Sequence, residues 1–266
     1  MMRIIAADMY RFFCGKFVYI TAIAMTAFLV FFSYAAQVAA ETIAAEGGVM
    51  DPVTAALAES LTAATSVANA LTMMEIVTYV AIAVVAVIVA STFGRSTIKN
   101  ELSVGISRTK LYFSRLISVS LLAASFLLMY VLVAFVVGFI AGGMGDWGVV
   151  SAGDVLQSIA VQLLMLTAMV SVFTAFVFAV QKETLSIGLS IAFLLVPMLF
   201  GAVLSLSHPE LSEAMASFEL TQMIRAFANF GMHTSTEIVR AALVGLAYIT
   251  VSTGIGMALF NRAEIE

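Results

Sequence analysis

Between Phe93 and Arg115 the chain reads FGRSTIKNELSVGISRTKLYFSR, and this stretch holds five of its twelve Lys and Arg residues: Arg95, Lys99, Arg108, Lys110 and Arg115. Taken as charge, such a block anchors a loop on one side of a membrane. Taken as pattern, it has the make-up of a short folded element. Ile98, Leu102 and Ile106 repeat every four residues and form one apolar stripe on a helix of two to three turns. Gly105 is placed to end that helix in a left-handed conformation. Ser107 then caps a new helix that runs through Arg108 and Lys110 into an apolar run. Lys99 and Glu101 are expected to face water, available to a partner. A plain hairpin loop held by positive charge would explain the Lys and Arg residues, but neither the Gly-x-Ser break nor the apolar stripe.

Other reactive groups are sparse. His208 and His233 are the only histidines, and neither has a Cys nearby, so no metal site is expected even with Glu210 and Glu237 close in sequence. A phosphate-binding loop needs Gly-x-x-x-x-Gly-Lys-Ser/Thr so that backbone amides cradle the phosphates. Gly15-Lys16 comes closest and fails at both ends, with Tyr10 at the first Gly position and Phe17 after the Lys. No enzyme constellation stands out, and no cofactor is expected in this chain. The lone Cys14 excludes an internal disulfide.

The elements that must position the loop are apolar. At 62% hydrophobic and 11% charged, the chain is unlike a water-soluble domain, where about a quarter of residues are charged. Six uncharged segments are long enough to cross a bilayer: 17–36, 76–93, 116–140, 155–180, 185–206 and 241–260. Each must be a helix, because the hydrocarbon offers its backbone no partner. The expected fold is therefore all-α, a single polytopic membrane domain over residues 1–266 with six spans. Placing both termini in the cytoplasm leaves only Arg225 and Arg240 of the twelve basic residues outside, a decisive positive-inside bias. The net charge of −4 averages two unlike faces, and a nucleic-acid partner is not expected. A secretory signal peptide is the alternative reading of the first apolar run, but that run exceeds the length usual for one, so an uncleaved anchor is expected.

Residues 1–16 read as an interfacial helix, with Met2, Ile5, Met9, Phe12 and Phe13 on one face and Asp8 spaced to pair weakly with Arg11. Residues 37–75 form a long outer segment in which Leu57, Leu61, Ala64 and Ala68 recur at helical spacing, so part of it is expected to be a weakly amphipathic helix against the bilayer. A second outer segment, 207–236, opens with a capping-box pattern at Ser207 and Glu210. It continues through Phe218, Met223, Ile224, Phe227 and Phe230 to a stop at Gly231, and the natural solution is a helix dipping part-way into the outer leaflet. Pro197 should kink the fifth span, either as a static bend or as a hinge. Gly138 with Gly142, and Ser252 with Gly256, permit close helix contact without locating it. No ionisable residue lies in the middle of a span, and Gln157 and Gln162 are the strongly polar residues of the fourth.

The run Ser96-Thr97-Ile98-Lys99-Asn100-Glu101-Leu102-Ser103-Val104-Gly105-Ile106-Ser107-Arg108-Thr109-Lys110-Leu111-Tyr112 resembles the cytoplasmic loop of type 2 ABC exporter permeases, bacterial proteins with a similar run after their second span. The match is close over about twenty residues, and the wider layout agrees. Arg95-Ser96 departs from the Asn-Gly-like pair frequent there. The resemblance implies that residues 1–16 are an elbow helix and that loop 94–115 carries a coupling helix. These would dock a separate ATP-binding cassette ATPase through Lys99, Glu101, Leu102, Gly105, Ser107 and Arg108. Phe218, Met223 and Phe227 would belong to an outer gate. Two permease chains, as a homo- or heterodimer in the cell membrane, would join two ATPase chains that hold the ATP and Mg, and would move a hydrophobic or amphipathic substrate such as a drug, antimicrobial peptide or lipid. The alternative is a non-transporting membrane sensor or assembly factor that recruits a soluble partner with the same loop. A secondary carrier is disfavoured by the absent mid-span charges.

Overall fold

The computed structural model describes residues 2–45, 62–94, 97–145, 147, 152–227 and 233–263. Among these residues every regular element is helical. In chain order they are α1 (Met2–Phe13), α2 (Lys16–Ala45), α3 (Ala63–Thr72), α4 (Glu75–Val85), a π-helical turn Ala86–Ala90, α5 (Ser91–Gly94), α6 (Thr97–Ser103), α7 (Arg108–Gly142), α8 (Ala152–Val180), α9 (Glu183–Ser207), α10 (Pro209–Ala216), α11 (Leu220–Ala226) and α12 (Ser235–Arg262).

Five stretches are long and apolar enough to cross a membrane: Ile76–Phe93, Arg108–Gly142, Gly153–Val180, Glu183–Ser207 and Ser235–Arg262. A sixth exists if Ile4–Phe13 and Lys16–Phe32, bent by 59° at the intervening break, act as one. The protein is thus an all-helical, multi-pass membrane protein by length and composition. The first apolar helix continues well past its expected end at Ala36, as far as Ala45.

α8 sits at the centre, packed on α7, α9, α11 and α12. Between apolar helices in lipid, association comes from close packing and a few polar contacts rather than from water exclusion. Ser252, Gly256 and Gly138 serve this inside the chain. Ser252 Oγ lies 2.7 Å from Ser171 Oγ, and a Cβ at Gly256 would come within 2.9 Å of Ala175 Cα, so α12 lies tightly along α8. Gly138 meets α3 in the same manner, where a Cβ would fall 2.5 Å from Ser66 Oγ and collide with the Thr62 carbonyl.

α3 is the main difference from expectation in segment 37–75. Its buried residues are Ala63, Ala64, Ser66, Val67, Ala70 and Leu71, and it packs on α7 instead of lying against lipid. Leu57 and Leu61, expected on its apolar face, lie outside the described residues. Ser207 is not a helix cap. It is the last residue of α9, its hydroxyl donating to the Val203 carbonyl at 3.2 Å, and His208 separates α9 from α10. The junction is tight because His208 alone, held out of the helical conformation as the residue before Pro209, separates the two helices.

Candidate functional site at the basic loop

The loop folds largely as its residues dictate. α6 ends in a Schellman turn: Gly105, at φ +89°, donates to the Leu102 carbonyl at 3.0 Å, and Ile106 N–H reaches the Glu101 carbonyl at 3.3 Å. Ser107 is the N-cap of α7, in extended conformation, its side chain accepting from Lys110 N–H at 3.4 Å. The stripe faces inward: Ile98 is buried, and Leu102 and Ile106 pack against the same core. Lys99, Ser103, Val104 and Ser107 remain exposed. A Cβ at Gly105 would meet nothing within 4 Å, so a side chain there costs backbone strain alone. Gly105→Ala should lose about 1–2 kcal/mol of stability from the left-handed conformation, and Gly105→Asn less. Thermal unfolding of the purified protein measures both.

Two arginines of the block turn inward, and here the structure corrects the sequence reading. Arg115, expected as a surface anchor, is 2% exposed. Its Nη1 donates to Asp8 Oδ1, and its Nη2 donates to Glu101 Oε1 at 2.5 Å. Ser118 Oγ completes the cluster by donating to Asp8 Oδ2 at 3.2 Å. Asp8, expected to pair weakly with Arg11, is itself 5% exposed. Glu101, expected to face water, is instead half-buried with its carboxylate turned toward α7. One guanidinium therefore ties together α1, α6 and α7. Facing two carboxylates, it leaves the knot with one formal negative charge in excess. Among the described residues, Arg115 Nε and Glu101 Oε2 find no hydrogen-bond partner.

Arg108 makes the second tie. Its Nη1 donates to the carbonyls of Phe260, Asn261 and Ala263 at 2.7, 3.0 and 2.9 Å. These groups close the C-terminal end of α12, where carbonyls lack intrahelical donors and a cation suits the helix dipole. The same guanidinium lies over the Phe260 ring, 5.6 Å from its centre. Beneath it, rings from four helices pack edge-on or tilted. Phe178 is 4.6 Å from Phe260, 4.7 Å from Tyr112 and 5.5 Å from Phe93. A displacement of α6 thus reaches α1 through Glu101 and Arg115, and α7 directly. Arg108, one residue past the α7 cap, carries it on to α12.

Sequence reasoning found α6, its turn and its cap, but missed the knot. One signal was present. In α1, Asp8 sits within the stripe of Ile5, Met9 and Phe12, and Phe12 is buried against Phe126 of α7 at 5.8 Å. An acid in such a stripe demands a buried partner. Met2 and Phe13, expected on that face, are exposed.

At the opposite end of the bundle, Met223 and Phe227 are buried and Phe218 is 61% exposed. The three proposed gate residues are therefore not one surface. Phe230 and Gly231 lie outside the described residues. Gln162 is fully buried, and its Nε2 donates to the Leu71 and Ile224 carbonyls at 3.4 and 3.3 Å, joining α3 and α11 to α8, whereas Gln157 is exposed. His233 Nδ1 approaches Glu237 Oε2 to 3.9 Å. Among the described residues no group of His, Cys, Asp and Glu could hold a metal.

A family model, DUF2705, described as protein of unknown function, matches residues 49–265. The chain belongs to this family. Glu101, Arg108 and Arg115 fall within the DUF2705 match, and Asp8 precedes it. No curated protein matches the chain.

Proposed function

We propose that this DUF2705 protein is the membrane-spanning permease subunit of an ATP-driven ABC exporter. The observation that carries this reading is α6: a short helix with an exposed polar side, ended by a Schellman turn and bonded through Glu101 to Arg115 of α7, which also holds Asp8 of α1, while Arg108 of α7 holds the end of α12. Such a helix is built to transmit a push. Lys99, Ser103 and Val104 present its open side to a separate ATPase subunit. Glu101, Leu102, Gly105, Ser107 and Arg108 act within the chain, holding and shaping the helix that is pushed.

In this reading both termini and the basic loop lie in the cytoplasm, the bent pair α1–α2 supplies an elbow and the first of six spans, and α10 and α11 stand at the outer face with Met223 and Phe227 in the gate. Two permease chains and two ATPase chains form the working unit in the cytoplasmic membrane, and ATP and Mg are held by the ATPase. The cargo is hydrophobic or amphipathic, leaving the cell. ATP supplies the energy, which accords with spans free of ionisable residues at their centres.

The test is co-expression with an ABC ATPase encoded beside the gene, followed by purification through a tag on this chain and assay in liposomes. The reading expects a complex whose ATP hydrolysis drives uptake into inside-out vesicles. No co-purifying ATPase would leave the sensor or assembly-factor role. Transport that follows an ion gradient and ignores ATP would indicate a carrier.

A further inference from the structure

α1 packs on α7 by one face only, with Asp8 and Phe12 buried there and Ile4, Ile5 and Met9 half-buried beside them. Its other face is bare. Met2, Ala6, Tyr10 and Phe13 follow at spacings of four, four and three residues, which places them on one side of the helix. All four are exposed, Met2 by 81% and Tyr10 by 74%. Beyond the 59° bend, α2 repeats the arrangement. It too packs on α7, through buried Met25 and Leu29, and leaves Tyr19, Ile20 and Ile23 exposed. α2 carries no charge from 17 to 40, so its bare face suits hydrocarbon. The strip on α1 runs into that face at the bend.

Two cations stand at the bend. Arg11 lies in the last turn of α1, Lys16 is the first residue of α2, and both are exposed. Among the described residues neither makes a hydrogen bond or an ion pair. Asp8, the sole acid of α1, points the other way, into Arg115, so the open side of the bend is positive. Cations and aromatic rings along an apolar strip suit a helix lying in the headgroup layer, and the cations favour anionic lipid there. A soluble protein could match the charge but not a strip that continues along an apolar helix built for hydrocarbon. A zwitterionic lipid could cover the strip but brings Arg11 and Lys16 no net countercharge. An anionic phospholipid meets both.

We propose that the outer side of the α1–α2 bend binds an anionic phospholipid, its headgroup phosphate between Arg11 and Lys16 and its chains along Phe13, Ile20 and Ile23. This rests on α2 being the first span, as in the reading above. It needs neither an ATPase nor transport.

The experiment uses the intact protein with Tyr10→Trp as reporter and Trp147, the only native Trp, replaced by Phe. It is reconstituted in dioleoylphosphatidylcholine vesicles, and quenching of the reporter by brominated phosphatidylglycerol is compared with quenching by brominated phosphatidylcholine. Both lipids should quench, and phosphatidylglycerol should be preferred about fivefold or more, less so as salt is raised. Arg11→Gln with Lys16→Gln should abolish the preference, and each single replacement should lower it, which covers a double variant that fails to fold. Lys182→Gln with Arg262→Gln, which removes two exposed cations from other helices, should leave it intact. Quenching by neither lipid would take α1 away from the membrane and remove the elbow with the proposal. Equal quenching by both would overturn the proposal alone, as would a preference kept in the folded Arg11 and Lys16 variants or lost equally in the Lys182 and Arg262 variant.

Discussion

Arg115→Met is expected to destabilise the protein by about 3–5 kcal/mol, the usual cost of stripping one partner from a buried ion pair. The loss is large because Asp8 and Glu101 both depend on this guanidinium and Asp8 is almost entirely enclosed. Ser118 alone cannot hold a buried carboxylate, since one neutral hydroxyl does not replace a charged donor. A fall in thermal midpoint on the order of 10 °C in detergent corresponds to this loss. The triple replacement Asp8→Asn, Glu101→Gln, Arg115→Met should recover most of it, because it removes all three charges together. Recovery in the triple variant separates a charge effect from mere loss of side-chain volume. If Arg115→Met melted with the wild type, the three helices would not be joined by this knot. If the protein is the permease proposed above, the triple variant has a functional use as well: with stability restored but α6 no longer tied to α1, its complex should hydrolyse ATP and transport poorly.

The second large effect is expected at Arg108. Arg108→Ala removes a charged donor from three carbonyls at the end of α12 and a cation from the Phe260 ring. Hydrogen bonds to a charged group contribute about 1.5–3 kcal/mol, and the helix end loses its favourable countercharge as well. Because Arg108 is partly exposed, the lower end of that range is expected. The functional loss should exceed the stability loss. On the permease proposal, with α12 released, movement of α6 and α7 no longer carries α12 with it, so transport per ATP hydrolysed should fall at least tenfold while hydrolysis continues. Faster amide hydrogen exchange over 257–263, with little change in α8, would locate the effect. Arg108→Lys should rescue little, since a compact ammonium lacks the planar guanidinium that lies over the Phe260 ring. Coupled transport at the wild-type ratio in Arg108→Ala would remove Arg108 from the transmission path.

Local rules and tertiary burial divided the work unevenly. The Gly105 turn, the Ser107 cap and the Ile98, Leu102 and Ile106 stripe were all legible, because each depends on a few neighbouring residues and on backbone geometry. The apolar segments were legible for the same reason: a long uncharged run has one way to satisfy its backbone in lipid. Glu101 and Arg115 were read wrongly because charge alone places a residue at the surface, whereas a partner 107 positions away, Asp8, makes burial of the guanidinium tolerable. The small-residue pairs showed that helices approach closely somewhere, but only packing revealed that Gly138 admits α3 and Gly256 admits α8.

The sequence by itself determined a multi-pass helical protein and a basic loop folded as helix, turn and helix, since periodicity, capping and hydrophobic length are local properties. Tertiary structure alone decided what that loop grips. Ion pairing across 107 residues and the burial of α3 against α7 are outcomes of helix packing, which no local pattern encodes.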